Sequence, residues 1–317
     1  MSVTKSLMLC LFLSFHVGDK RSGLTLSQLR TAVRDLANLH AVSYAYNRTH
    51  DFLAKYPGFK DTPVIEGILK GFVQMVLESL YKALKANEEK FPDLVDTIAS
   101  NKDKMVSSME EFLLSNTKKP LMCLSHGDFW TNNFMFKCNE EGAVEDFMMI
   151  DWGNVGWRSP MFDLQYLMYT STQHATRKDH LKEVQTLYFE TFTSTAASLD
   201  AALPQYSFED FLTEYQKSAA ASMLFCVFVN MIMLSEYGRK FNRGTLTTGF
   251  SSWLRMKMGK MTTTLMPHWM IPKMICLSLK KETQIYFDDF ASMRNPEMTT
   301  RVIDLVTEAC QSFVADP

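Results

Sequence analysis

The chain has 317 residues, of which 46% are hydrophobic and 21% are charged. A chain of this length and composition can bury a substantial core, which excludes a disordered or low-complexity protein. Its 33 basic and 35 acidic residues give a net charge of −2, so no general field attracts nucleic acid, and no nucleic-acid partner is expected. The six cysteines are scattered, without a C-x-x-C pair or zinc-type spacing, which favours reduced thiols in a cytoplasmic protein.

The N-terminal segment is open to two interpretations. Lys5 precedes the apolar run Leu7–Leu13, which resembles the hydrophobic stretch of a signal peptide. The run is too short to cross a bilayer, so no membrane span is expected. A buried strand has the same pattern, and secretion through a signal at about residues 1–18 stays open as the minor alternative to a cytoplasmic location.

Apolar residues recur at helical spacing in several segments and predict a mostly α-helical protein. The first predicted helix runs from Thr25 to Tyr46, with Ser27 as a candidate N-cap, and the second runs from Val64 to Leu84. Gly67 and Gly71 in the second helix form a G-x-x-x-G pattern, which favours the close approach of another helix. Further helices are predicted over 105–114, 161–170, 174–199, 207–237, 250–265 and 298–314.

Short apolar runs in the middle of the chain predict a small β structure. The three runs are 121–124, 133–136 and 147–150. The polar segment Asn139–Gly142 predicts a hairpin turn between the second and third. No internal repeat or flexible linker is present, so the predicted fold class is one mostly α unit with a small β-hairpin insert.

Polar residues follow these strands in a pattern typical of phosphoryl transfer. The segment His126–Asn133 (H-G-D-F-W-T-N-N) follows the first strand, and Asp151-Trp152-Gly153 follows the hairpin. One Asp can accept a proton from an attacking hydroxyl, while an Asn and a second Asp can hold Mg²⁺ against nucleotide phosphates. Asp128 and Asn133 are five positions apart, as these two roles are in protein kinases, and Asp151 falls where D-F-G begins. Each fragment alone is typical of an ordinary turn, so the prediction depends on their joint occurrence.

At these residues the chain resembles the ecdysteroid kinase-like family, also called CHK kinase-like proteins. That family is related to choline and aminoglycoside kinases, which are variants of the protein-kinase fold. The likeness extends to the S-P-x-x-D-L element at Ser159–Leu164 and to Tyr169–Ser171. Upstream it includes Asp19–Leu24 and Leu36–Ser43, so that it covers roughly residues 15–310.

The resemblance implies an ATP- and Mg²⁺-dependent phosphotransferase that acts on a hydroxyl of a small molecule, either ecdysteroid-like or xenobiotic. It implies that Asp128 is the catalytic base and that Asn133 and Asp151 bind the metal and the nucleotide. His126 would orient the catalytic loop. Asp163 is expected either to accept hydrogen bonds from the loop main chain or to favour the positive end of its helix.

The elements with which such a kinase binds the nucleotide phosphates are not recognisable in this sequence. A working kinase needs a glycine-rich loop, a strand Lys and a helix Glu ahead of the hinge. The hinge is expected at residues 7–15, so the small lobe is expected to be missing. Residues 1–14 would be non-homologous or a remnant of the hinge strand, and residues 15–317 would form the large, C-terminal lobe. Two alternatives to a truncated kinase stay open, namely an inactive kinase-like binding protein and a secreted binding protein.

Overall fold

The computed structural model describes residues 15–59, 63–113, 121–235 and 270–315, which are mostly α-helical, as predicted. The described helices are α1 (Leu26–Thr49), α2 (Phe52–Lys55), α3 (Pro63–Lys85), α4 (Pro92–Leu113), α5 (Met161–Ser171), α6 (His174–Ser198), α7 (Phe208–Leu234), α8 (Met270–Ala291) and α9 (Pro296–Ala315). The described strands are β1 (His16–Val17), β2 (Cys123–Ser125), β3 (Phe134–Cys138), β4 (Val144–Met149) and β5 (Gly156–Arg158). The predicted class, mostly α with a small β insert, is confirmed.

Helix α1 is capped by Thr25, so the expectation of Ser27 as N-cap is wrong. The Thr25 hydroxyl accepts a hydrogen bond from the Gln28 amide (3.3 Å), and the Gln28 side chain accepts one from the Thr25 amide (3.0 Å). This reciprocal pair is a capping box, which satisfies two amides at the start of the helix. Ser27 lies inside the helix, where its hydroxyl accepts a hydrogen bond from the Val144 amide of β4 (3.4 Å).

Strands β3 and β4 form the predicted antiparallel hairpin. In its turn, the Asn139 side chain accepts hydrogen bonds from the amides of Glu141 (3.1 Å) and Ala143 (2.9 Å), and Gly142 has φ +81°. Strand β1 pairs with β3 to give the order β1-β3-β4, while β2 and β5 form a separate two-stranded sheet. The sequence pattern does not reveal β1 and β5, because strands of two or three residues are too short to show alternation.

The helices differ from the predicted ones in two respects. Helix α4 begins at Pro92, well before the predicted start at Met105. The prediction missed its first half because that half is largely polar and carries only a weak apolar pattern. Helix α8 has no counterpart among the predicted helices. The helix predicted over 250–265 and the segment 1–14 lie outside the described residues. Helix α3 agrees closely with its predicted range.

The chain divides into two compact units. The first comprises the described parts of Met1–Lys55 and Leu121–Leu212, and the second those of Tyr56–Pro120 and Thr213–Pro317. In the first unit, α1 packs along α6 and over β2. In the second, α3 packs against α4 and α8. The predicted phosphoryl-transfer residues all belong to the first unit.

Gly71, the second glycine of the G-x-x-x-G pattern in α3, has the packing role that the sequence suggested. A Cβ atom at Gly71 would collide with the thiol of Cys276 on α8, so only glycine permits this approach of the two helices. Cys276 donates a weak hydrogen bond to the Ile68 carbonyl oxygen (3.7 Å). The structure gives the five cysteines within the described ranges as thiols.

Helix α7 is, among the described helices, the one long and apolar enough to cross a membrane by length and composition. In the structure, 78% of its most apolar window is buried inside the protein. Residues on several sides of the helix are buried, including Leu224, Val227 and Met231. A helix that is apolar on every side is typical of the interior of a globular protein as well as of a membrane span.

Candidate active site

The hairpin brings the two halves of the predicted motif to one end of the three-stranded sheet. The loop before β3 ends in a 3₁₀ turn at Thr131–Asn133, and a second 3₁₀ turn, Trp152–Asn154, follows β4. Because β3 and β4 are antiparallel and joined at their far ends, the start of β3 lies beside the end of β4. The Ile150 amide donates to the Asn133 carbonyl oxygen (2.9 Å), which places Asn133 next to Asp151.

Asp128 is an almost fully buried carboxylate, with 5% of its surface exposed. The hydroxyl of Tyr166, on α5, donates a hydrogen bond to its Oδ1 (3.0 Å). The side-chain amide of Asn133 donates to the Asp128 carbonyl oxygen (2.8 Å), which links the two ends of the loop. All eleven residues of α5 are buried, so Tyr166 is presented from a fixed element. The Tyr166 contact orients the Asp128 carboxylate, and the Asn133 contact orients the main chain of Asp128.

Burial raises the pKa of Asp128 from its ordinary value of 3.8 to about 6, because the ionised carboxylate is poorly solvated there. Hydrogen bonds from Tyr166 and Asn133 lower the pKa. The negative charges of Asp151 and Asp163 raise it further. A carboxyl group with this pKa is mostly ionised at pH 7 and still takes up a proton readily, which suits a general base near neutral pH.

Asp163 anchors the main chain of the loop directly before Asp128. Its Oδ2 accepts a hydrogen bond from the His126 amide (2.6 Å), and its Oδ1 accepts one from the Gly127 amide (2.9 Å). Complete burial raises the pKa of Asp163, but hydrogen bonds from His40 and from the Gly127 amide hold the pKa below its ordinary value. The expectation that Asp163 accepts hydrogen bonds from the loop is confirmed, and Asp163 also lies in the first turn of α5.

The imidazole of His126 ties the loop to the end of β4. Its Nε2 donates to the Ile150 carbonyl oxygen (3.1 Å), directly before Asp151. The ring packs against Trp152, with ring centroids 4.6 Å apart. Burial lowers the pKa of His126, against the charge of Asp163, which raises it. The ring is therefore neutral at pH 7 and acts as a brace between the two halves of the site.

Two residues of the site adopt left-handed backbone conformations. Gly127 has φ +79°, and a Cβ atom there would collide with the carbonyl oxygen of Asn154. The loop therefore packs directly on the main chain of the turn that follows β4. Asp151 has φ 61° and ψ 61°, an uncommon conformation for a residue with a side chain. Such strained positions are typical of functional sites, where the surrounding structure holds them in place.

Asn133 and Asp151 offer the oxygen donors that Mg²⁺ prefers. The amide nitrogen of Asn133 donates to the Asp128 carbonyl, so its amide oxygen is the atom that can ligate a metal. Asp151 is half-buried, and its carboxylate lies close enough to raise the pKa of Asp128. Within the described ranges, no three His, Cys, Asp or Glu side chains are grouped to hold a metal ion. A pair of oxygen donors fits Mg²⁺, which usually keeps several waters and takes further ligands from phosphates.

An apolar surface lies on the sheet beside these polar residues. Phe15 and Met135 form a small cluster, against which Ile150 packs. Met135 pairs directly with Val17 of β1 and with Met148 of β4, so the three side chains project from one face of the sheet. Val17 and Met148 are 47% and 37% exposed. Apolar side chains are therefore accessible on this face.

Three residues behind the loop are not revealed by the sequence motif: Tyr166 contacts Asp128, His40 contacts Asp163, and Tyr188 contacts His40. Tyr166 lies three positions after Asp163 on α5, and residues at this spacing share a helix face. The expectation that Asp163 faces the loop therefore also predicts that Tyr166 faces the loop. No comparable signal exists for Tyr188, because its contact spans 148 residues of sequence.

A mostly helical lobe that presents this loop, hairpin and pair of acidic residues defines a kinase-like protein. The model of the ecdysteroid kinase-like family matches residues 13–201, more than half of the chain and the whole of the candidate site. The chain belongs to this family, and the resemblance seen in the sequence is confirmed. Kinase-like phosphotransferase activity in general follows from the family. No curated protein matches the chain.

Proposed function

We propose that the chain transfers a phosphoryl group from ATP to a hydroxyl of a small molecule, with Mg²⁺ bound at Asn133 and Asp151. The observation that carries the proposal is the buried Asp128 carboxylate, which Tyr166 holds beside these two oxygen donors. Phosphoryl transfer requires little covalent chemistry from the protein beyond positioning and charge stabilisation. A base and two metal ligands at one end of a hairpin meet this requirement.

Asp128 is the residue that we assign to the acceptor hydroxyl. Tyr166 occupies Oδ1, so Oδ2 is the oxygen that would receive the proton. The pKa of about 6 makes this carboxylate both ionised and basic enough at neutral pH. A positioned base of this kind contributes on the order of 10²- to 10⁴-fold to the rate.

Asn133 and Asp151 would hold the metal from the two sides of the hairpin end. When bound, Mg²⁺ supplies neutralisation of the phosphate charge. The chain's own contribution is to fix the donors. Asn133 is oriented by its hydrogen bond to the Asp128 carbonyl, and its main chain is tied to Ile150 next to Asp151. His126 braces the same point from the loop.

The apolar face of the sheet is the surface that we assign to the nucleobase. Met135 follows the metal ligand Asn133 by two positions, and Ile150 directly precedes Asp151. The apolar side chains therefore adjoin the place where the phosphates would bind. Burial of apolar surface against a flat base is favourable by roughly 25 cal/mol per Å².

The acceptor is proposed to be a small hydroxyl compound of the ecdysteroid-like or xenobiotic type. The family's description supports a steroid-like acceptor. Near the proposed base, the rings of Phe162 and Tyr166 stack in parallel on α5, with centroids 6.3 Å apart. Such an aromatic pair is compatible with a largely apolar acceptor. We place the protein in the cytoplasm, and cleavage after about residue 18 on export would contradict that placement.

The proposal is tested with Mg-ATP binding and hydrolysis by the full chain. The variants are Asp128→Asn and Asp151→Asn, and the matched control is Asp103→Asn, an exposed carboxylate on α4. We expect Asp128→Asn to lower turnover by about 10²-fold or more while leaving ATP binding intact. Asp151→Asn should weaken the dependence of binding on Mg²⁺, and the control should behave as wild type.

The outcomes separate the alternatives. Equal turnover in wild type and Asp128→Asn would refute the phosphotransferase proposal for this chain. Mg-ATP binding that depends on Asp151, without turnover in any form, would identify an inactive kinase-like binding protein. Absence of nucleotide binding would contradict both the phosphotransferase and the nucleotide-binding inactive kinase-like protein.

A further inference from the structure

A buried chain of hydrogen bonds connects helix α6 to the catalytic loop. The Tyr188 hydroxyl lies 2.6 Å from His40 Nδ1, and His40 Nε2 lies 3.1 Å from Asp163 Oδ2. His40 and Asp163 are fully buried, and Tyr188 nearly so. The three residues come from α1, α5 and α6, and His40 on α1 lies more than 100 residues before the other two. This series of hydrogen bonds ends at the Asp163 carboxylate, which accepts hydrogen bonds from the amides of His126 and Gly127.

The Asp163 carboxylate fixes the role of one ring nitrogen of His40, Nε2. The pKa of Asp163 is lowered, despite burial, by the hydrogen bond from His40, so this carboxylate is ionised and can only accept. Nε2 of His40 must therefore donate. Nδ1 is hydrogen-bonded to the Tyr188 hydroxyl, and this second contact fixes the plane of the ring.

The Asp163 carboxylate accepts hydrogen bonds from three donors, of which His40 is one. Oδ1 accepts from the Gly127 amide, while Oδ2 accepts from both the His126 amide and His40. The two loop amides are adjacent in sequence, so a rotation of the carboxylate would break both contacts. A third donor, delivered from α1, opposes that rotation. The next residue of the loop is Asp128.

We infer that His40 is a positioning residue for the Asp128 base, acting through Asp163 on the main chain of the catalytic loop. The inference rests on the function proposed for Asp128. His40 touches neither Asp128 nor the proposed metal ligands. A residue that only fills the core would affect global stability, whereas a positioning residue controls the loop amides specifically.

Two substitutions of His40 separate its two nitrogens. The side-chain amide of glutamine reaches the position of Nε2, so His40→Gln keeps a donor for Asp163. The shorter asparagine reaches only the position of Nδ1, so His40→Asn keeps the contact with Tyr188 and loses the one with Asp163. Tyr188→Phe removes the outer contact alone. Both amide variants introduce a buried polar group of the same type, which makes them a matched pair.

The direct readout is the Gly127 amide proton, which donates to Asp163. His126-Gly127 is the one His-Gly dipeptide in the sequence, so carbonyl-¹³C histidine with ¹⁵N-glycine labelling gives a single correlated amide signal. We expect a downfield amide resonance and slow hydrogen exchange in wild type. Exchange should be about tenfold faster or more in His40→Asn, since a hydrogen bond to a charged group is lost. His40→Gln and Tyr188→Phe should stay within a few-fold of wild type.

Mg-ATP hydrolysis by the same proteins supplies the functional readout. We expect His40→Asn to lower kcat by about tenfold with an unchanged KM for ATP, and His40→Gln to restore most of kcat. Equal amide exchange in the Gln and Asn variants, at equal thermal stability, would overturn the inference. A wild-type chain without hydrolysis above Asp128→Asn would refute the proposed function instead, while the amide signal still decides whether His40 positions the loop.

Discussion

Replacement of Asp128 by asparagine is expected to stabilise the protein at neutral pH while it removes the proposed base. The reason is the burial that raises the pKa of this carboxyl from 3.8 to about 6. An ionised carboxylate is tolerated poorly at this position, and a neutral amide of the same shape removes that cost. The site would then be an example of a functional group retained at the expense of stability.

The size and sign of the effect follow from proton linkage. Between pH 3.8 and about 6 the folded protein binds more protons at Asp128 than the unfolded chain, so this residue lowers stability as the pH rises. A shift of about two pKa units corresponds to roughly 3 kcal/mol in full, at 1.36 kcal/mol per unit. Most of this difference develops between pH 4 and pH 7.5. Asp128→Asn should therefore gain stability relative to wild type across that window.

Urea unfolding of the full chain at several pH values measures the difference. Wild type, Asp128→Asn and the exposed control Asp103→Asn are compared at each pH. The gain of Asp128→Asn should grow by about 2 kcal/mol from pH 4 to pH 7.5, and the control should give a flat line. A stability difference that is independent of pH, or that shrinks as the pH rises, would refute the argument that the Asp128 carboxyl is destabilised by burial.

Two further predictions concern neighbours of Asp128. Tyr166→Phe removes a hydrogen bond to the ionised carboxylate, worth roughly 1.5–3 kcal/mol. The acidic limb of the pH profile of kcat/KM for Mg-ATP hydrolysis should therefore move up from about pH 6 by about one to two units, and an unmoved limb would contradict the assignment. Gly127→Ala and Gly142→Ala place alanine at nearly equal φ, +79° and +81°, but only the first meets a main-chain oxygen. Gly127→Ala should lower the free energy of unfolding, measured in urea, by at least about 1 kcal/mol more than Gly142→Ala does. Equal losses in the two variants would show that the loop can move to accommodate the Cβ atom.

The fold could be predicted where a segment carries its own pattern. The long apolar stripes of α1 and α3, and the hairpin with its Asn139–Gly142 turn, are properties of contiguous residues, so the sequence reveals them. The polar first half of α4 and the two-residue strand β1 have no such local pattern. Their structure depends on the neighbours against which they pack, because tertiary contacts override weak local preferences.

The candidate site divides in the same way. The order and spacing of Asp128, Asn133 and Asp151 are local features, and they sufficed to predict a kinase-like protein, which the family match confirms. The pKa of Asp128 is raised by burial, which depends on the residues packed around it. The hydrogen bonds Tyr188–His40–Asp163 behind the loop join α1 to helices that lie more than 100 residues later in the sequence. Such contacts form only when α1, α5 and α6 pack together, because burial and long-range hydrogen bonds are properties of the assembled core. The sequence determined which chemical groups are present, and the tertiary structure decided how strongly each is held and how readily it gains a proton.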